Sequence, residues 1–233
     1  MSINTNIKTK GRLDRHHSVK ALTVTAILGA VAYVSALVID VPVSFLSLEI
    51  KDAVIVLCGL LVGPIYGMAL AVLVPFLELF IGSFTGVYGF IMNTLSSLTF
   101  VSTVAGIYRI KRNLTGAIIG LVSGVFAVTA VMLAANLIVT PYYMGVGREV
   151  VASMIPKLLL PFNLVKAVLN AAIVLLLYKP LSLMLKKIGV RVSSVEQSSS
   201  EGARKGTWRY VWVSVAAVVL ILLSLAVIFF VIS

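Results

Sequence analysis

The sequence predicts an all-α membrane protein, a six-transmembrane-helix bundle followed by an additional C-terminal transmembrane helix. Three observations carry that prediction. Of the 233 residues, 60% are hydrophobic and only 12% charged, against roughly 45–50% apolar and about 25% charged in soluble domains. The apolar runs are continuous, as in AAIVLLLY (171–178) and VAAVVLILLSLAVIFFVI (215–232), with none of the alternation a barrel strand would need. The basic residues stand in clusters between those runs. Only helices or closed barrels satisfy the backbone in lipid, and a spanning helix needs about 20 residues.

The first span is expected at about Ala21–Ile39, after a basic cytoplasmic tail over 1–20. A turn-rich outer segment follows, DVPVSFLSLEIKD, and its half-apolar VPVSFLSLEI part is placed to fold back on the helices. A second span covers Ala53–Val62 and stops at Gly63-Pro64, which punctuates the chain. The third runs from Ile65 to about Ile81, and GSFTGVYG after it is a glycine-rich loop. Phe90–Ile107, Gly116–Val139 and Phe162–Leu185 complete the bundle, so the six-helix domain occupies 21–189. Residues 190–207 form a polar, Ser-rich linker, and the extra helix fills 208–233. Trp208, Tyr210 and Trp212 mark its interfacial end.

An inside N-terminus puts 15 of the 19 basic residues on the cytoplasmic side, leaving Lys51, Arg148, Lys157 and Lys166 on the outer side. That bias satisfies the positive-inside rule for a multi-pass bacterial cell-membrane protein and places the C-terminus outside. The net charge of +11 is then topology and attraction to anionic membrane lipid, with no nucleic-acid partner implied. A lone cysteine, Cys58, excludes a disulfide framework and a cysteine metal site. His16 and His17 lie in the polar tail. No hydrolase, metalloprotease or P-loop motif is present, so the chain reads as no enzyme and any ATP hydrolysis would belong to another chain. The polar start of the chain does not resemble a cleavable signal peptide.

Polar groups inside spans are functional candidates, since each is costly without a partner. Asn163, Lys166 and Asn170 sit at i, i+3 and i+7, on one helix face. Thr129, Asn136 and Thr140 share a stripe on the fifth span, and Asn93, Ser96 and Ser97 share one on the fourth. Glu78 interrupts the third. Lys166, Asn163, Asn136, Thr140, Asn93 and Glu78 all fall in the outer half of their spans, as a pocket open to the outside requires. Two plainer roles compete. Lys166, about five residues into its helix, is close enough to the interface to snorkel, and Asn and Ser side chains also serve as interhelical hydrogen-bond glue.

Four segments carry a family resemblance: LLVGPIYGMALAVLVPFLELFIG, GFIMNTLSSLTF, MLAANLIVTPYYMG and LPFNLVKAVLNAAI. Across Ala21–Lys187 the chain resembles the substrate-binding S-components of energy-coupling factor (ECF) vitamin transporters, most closely the riboflavin-specific type. The Gly-Pro loop is common to many S-components; the pairing of N-x-x-V-T-P-x-Y-M-G with P-F-N-x-x-K-x-x-x-N is more specific. The resemblance implies a six-helix protein that captures riboflavin as a transported ligand, with no cofactor. It implies partners too: a transmembrane coupling protein and two ABC-type ATPases of an ECF module. It assigns ligand contact to Asn136, Asn163 and Lys166. The helix faces add Thr140 and Asn170, the polar set adds Glu78 and Asn93, and the loops add Glu49 and Tyr88. It also assigns docking on the coupling protein to the small residues of AILGA, namely Ala26, Gly29 and Ala30, which ordinary helix packing would equally use. The extra helix departs from the family pattern. An S-component for another vitamin or precursor, or a non-transporting membrane scaffold, therefore stays open at this stage.

Overall fold

The computed structural model describes residues 3–44, 46–80, 86–187 and 203–232. Helix α1 (Ile3–Val38) continues back through the basic tail, and an antiparallel hairpin of β1 (Asp40–Val43) and β2 (Leu46–Glu49) follows it. Then come α2 (Lys51–Leu61), α3 (Pro64–Leu79), α4 (Gly86–Ile110) and α5 (Leu114–Met144). A short α6 (Arg148–Met154) passes through one π-helical turn, Ile155–Leu159, into α7 (Leu160–Lys187), and α8 (Ala203–Ile232) ends the chain. Of the expected glycine-rich loop GSFTGVYG (82–89), residues 82–85 lie outside the described residues, while Gly86 onward already forms the first turn of α4; most of the expected 190–207 linker and the side chains of Trp208 and Tyr210 also lie outside them.

Two features depart from the expected all-α bundle of six spans plus one. The outer segment after α1 does fold back, but as a β-hairpin with Asp40 paired to Glu49 and Val43 to Leu46. Its turn begins at Ser44, which takes a left-handed φ of 59°. Val43 and Leu48 enter a small apolar cluster with Phe162 and Leu169 of α7, so the hairpin is seated by burial of one face. The second departure is in span length. Among the described residues four segments are long and apolar enough to cross a membrane: Ser18–Val38, Gly86–Ile110, Leu114–Met144 and Arg148–Lys187. Pro64–Leu79 and Trp212–Ser224 are shorter apolar helices.

The expected second span is an 11-residue helix, about 16 Å long at 1.5 Å per residue, against a hydrocarbon core of about 30 Å. Charged Lys51 and Asp52 begin it and Gly63-Pro64 ends it. All of its residues are buried, so protein rather than lipid surrounds α2 and lipid thickness does not set its length. Gly63 adopts φ 152° and ψ 156°, a conformation open to glycine, and Pro64 then supplies the fixed φ that suits a first helical position.

Small residues bring the helices together. Gly120 and Gly124 of α5 meet Val104 and Phe100 of α4, and a methyl added at Gly124 would lie 2.7 Å from Val104 Cγ2. In lipid such close backbone approach supplies much of the association, because burial of apolar surface contributes little between helices. Helices α2 and α3 meet backbone to backbone: a Cβ on Gly67 would stand 2.7 Å from the Gly59 Cα. The α4 and α7 ends are tied by the Tyr108 and Tyr178 hydroxyls, 2.7 Å apart. At α5 the Asn113 side chain accepts the Gly116 N–H and caps the helix.

Gly67→Ala is expected to destabilise the protein by about 1–3 kcal/mol, since backbone must move to admit the methyl. Gly106→Ala, where a Cβ meets nothing within 4 Å, should be neutral or slightly stabilising. Thermal unfolding of the two purified variants in one detergent checks both.

Candidate functional site

One end of the bundle collects the polar residues, and Asn170 organises it. This α7 side chain accepts the Ala53 N–H at 2.8 Å. Its amide group donates to the carbonyls of Glu49 at 3.0 Å and Lys166 at 2.9 Å. Ile50, preceding α2, offers no side-chain cap, so an asparagine 117 residues away takes that role and joins hairpin, α2 and α7 at one point.

Around this clamp runs a chain of charges. Lys51 is almost fully enclosed, with its Nζ 2.6 Å from Glu49 Oε2 and 2.5 Å from Glu78 Oε2. Asn93 donates to the same Glu78 oxygen at 3.4 Å. Lys166 donates to the Ser47 carbonyl at 3.0 Å and lies 3.6 Å from Glu49 Oε2. Glu49 Oε2 thus meets both lysines as an ion partner rather than through a directed hydrogen bond. Burial raises the Glu49 pKa, but Lys166 and Lys51 more than offset it, so the net shift is downward. This hairpin carboxylate therefore stays ionised at neutral pH. Deeper in, Ser97 and Ser96 of α4 both donate to Asp52, the latter at 3.4 Å. Three carboxylates against two ammonium groups leave the cluster with an acidic excess, and Glu78 Oε1 is buried with no hydrogen-bond partner.

The predicted residues divide into groups. Glu49, Glu78, Asn93, Lys166 and Asn170 converge on this chain of contacts. Asn136 and Thr140 are buried on α5 but bond within it: Thr140 donates to Asn136 Oδ1 at 2.8 Å, and Asn136 donates to the Met132 carbonyl. Asn163 is buried on α7 and donates to the Leu159 carbonyl at 2.7 Å, one of the carbonyls in the π-helical turn. Tyr88 is exposed and lies against Tyr143, which brings the C-terminal end of α5 to the start of α4 and hence to the same end of the bundle. On α1, Ala26 and Ala30 face outward, whereas Gly29 turns toward Leu70 of α3.

Two corrections follow for Lys166 and its neighbours. Helical structure runs unbroken from Arg148 to Lys187, so Lys166 is not a few residues from a helix end. Its amine points inward to Ser47 and Glu49 instead of snorkelling outward. Lys51, expected only as an outer-side charge, is buried at the centre of the cluster together with Asp52. Their signal is the dense E-I-K-D run directly before a stretch, Ala53–Leu77, without a charged residue.

Residues 20–182 match the family described as ECF transporter, substrate-specific component. The chain belongs to this family. It is 27% identical over 179 residues to the riboflavin transporter RibU of Staphylococcus aureus (strain TCH60), covering 72% of this chain and 94% of that protein. A solved structure described as "Structure and mechanism of the S component of a bacterial ECF transporter" superposes with a TM-score of 0.62 at 27% identity, over 72% of this chain and 99% of the other. The protein is thus a membrane transport component and a homologue of a riboflavin transporter, and its family is one of substrate-binding subunits rather than enzymes.

Truncating Asn170 to Ala strips partners from the buried Ala53 N–H and Glu49 carbonyl, at about 1–3 kcal/mol per group. The expected result is a clearly lowered thermal midpoint. Lys51→Met, which leaves Glu49 and Glu78 buried without their shared cation, should cost about 3–5 kcal/mol and is checked by the same melt.

Proposed function

We propose that this S-component captures riboflavin at the end of the bundle covered by the β-hairpin, which faces the outside, and delivers it for ATP-driven import. The observation that carries the reading is the inward set of α7, Asn163, Lys166 and Asn170, lying under the hairpin at the end where Asn136 and Thr140 are also buried. Its support is the shared family, the riboflavin transporter among its relatives, and the fit of donors to ligand. The flavin ring edge carries carbonyl and imide groups; an Asn amide both donates and accepts, and a Lys ammonium donates. Polar contacts of this kind, few and placed within an apolar wall, are typical of small-molecule sites.

In this reading the ligand replaces the Ser47 carbonyl as acceptor for Lys166, while Glu49 remains its counter-ion. The hairpin, seated through Val43 and Leu48, then excludes water and strengthens the hydrogen bonds beneath it. Glu78, Asn93 and Tyr88 line the approach. A coupling protein with two ATPases on separate chains drives import, docking on the outward face of α1 at Ala26 and Ala30 with Gly29 beside them. The N-terminus is cytoplasmic, and α8 carries the C-terminus outward.

Purified protein should carry a yellow ligand, visible in its absorption spectrum, and should quench flavin fluorescence with a sub-micromolar Kd. Lys166→Ala should raise that Kd about 10–100-fold, the loss of a hydrogen bond from a charged donor. Binding retained to within about twofold, or ~0.4 kcal/mol, sinks the role given to Lys166. Absence of flavin binding by the wild-type chain sinks riboflavin itself, and a thermal-shift screen of other vitamins then names the ligand.

A further inference from the structure

The opposite end of α2 opens on a different site. Where α2 stops and α3 starts, a cavity of about 270 Å³ is bounded by Gly59, Gly63, Tyr66, Tyr108, Arg109 and Arg112. The lining is mostly apolar, and the exposed Arg109 and Arg112 are its basic members. No carboxylate among the described residues pairs with either arginine. Of the acids with described side chains, Glu49, Asp52 and Glu78 belong to the cluster at the other end of α2, and Glu149 starts α6. The first turn of α3 begins at the cavity wall and adds backbone N–H groups and the positive end of a helix dipole. Exposed Ile65 and Ile110 stand beside it, as lipid-facing apolar surface. Lys111, and Lys186 and Lys187 at the end of α7, extend the basic character of this end of the bundle.

We infer that this cavity binds the phosphate of an anionic phospholipid headgroup, held by Arg109 and Arg112 while the acyl chains lie along the apolar surface at Ile65 and Ile110. Arginine forks match phosphate oxygens in a bidentate way that lysine does not. Basic pockets between transmembrane helices are suited to such headgroups. The aliphatic walls and the helix break give the site a floor that a diffuse basic surface lacks. A bound headgroup would also pin the α2–α3 turn to the end of α4, bracing the short α2 from below while Asn170 caps it from above.

The test uses the full chain in nanodiscs of phosphatidylcholine, with and without added phosphatidylglycerol, and reads lipid adducts retained in native mass spectrometry together with the thermal midpoint. The wild type should retain phosphatidylglycerol and melt higher in its presence. Arg109→Gln with Arg112→Gln should reduce retention about tenfold or more and abolish the shift. Lys186→Gln with Lys187→Gln removes equal charge from the same end without touching the cavity, and should change retention less than twofold. Unchanged melting in phosphatidylcholine alone establishes that each variant is folded; if the arginine pair fails to fold, the single variants Arg109→Gln and Arg112→Gln take its place. Equal losses in the two double variants would overturn the site in favour of general surface attraction. Inorganic phosphate that reproduces the shift at matched ionic strength would overturn the lipid as occupant.

Discussion

The hydrogen bonds of one asparagine hold the upper half of the molecule in place. Asn170 satisfies the start of α2, the end of the hairpin and a carbonyl of its own helix at once. Helix α2 is too short to span and is wholly enclosed, so its first N–H groups have no water to turn to, and an unsatisfied buried N–H is costly. With the clamp made, β2 ends against α7, the Glu49 carboxylate lands between two lysines, and Lys51 is drawn inward to meet Glu78. Position of the hairpin and position of the charges are one consequence of the same contact.

Buried charge at the edge of a membrane is expensive even when paired. The cluster offsets that cost through shared contacts: Lys51 serves two carboxylates, and Glu49 is reached by two lysines. Hydrophobic residues of equal volume would fill the space with less penalty. Retention of five ionisable groups at the hairpin end of a bundle otherwise built on glycine and aliphatic packing is the physical support for the proposal that substrate is recognised there. The unpartnered Glu78 Oε1 and the hairpin-facing amine of Lys166 are the groups with hydrogen-bonding capacity to exchange.

Helix α2 has two unlike ends. Acid-rich contacts surround Lys51 and Asp52 at its start, and arginines line the cavity beyond Leu61. The extra helix α8 lies along α7, with Ala217 and Ser224 buried and Ile221 reaching the apolar cluster that seats the hairpin. The family match ends at residue 182, so α8 lies beyond the matched residues, packed against the helix that carries Lys166.

Membrane residence, the break at Gly63-Pro64, and the polar face of Asn163, Lys166 and Asn170 were legible in the sequence alone. Hydropathy, glycine-proline punctuation and helical period are local properties that neighbours in the chain determine. The family was legible too, in motifs that span α3 to α7. What only tertiary structure decided was partnership. That Asn170 caps a helix 117 residues away, that Lys51 turns inward, and that α2 survives at 11 residues all depend on groups distant in sequence. Periodicity assigns a side chain to a face; it does not say what lies opposite. Lys166 shows the limit most plainly. The stretch around it marked a costly cation, but its direction, toward Ser47 and Glu49 rather than the headgroups, followed from a hairpin whose place on α7 only the folded chain contains.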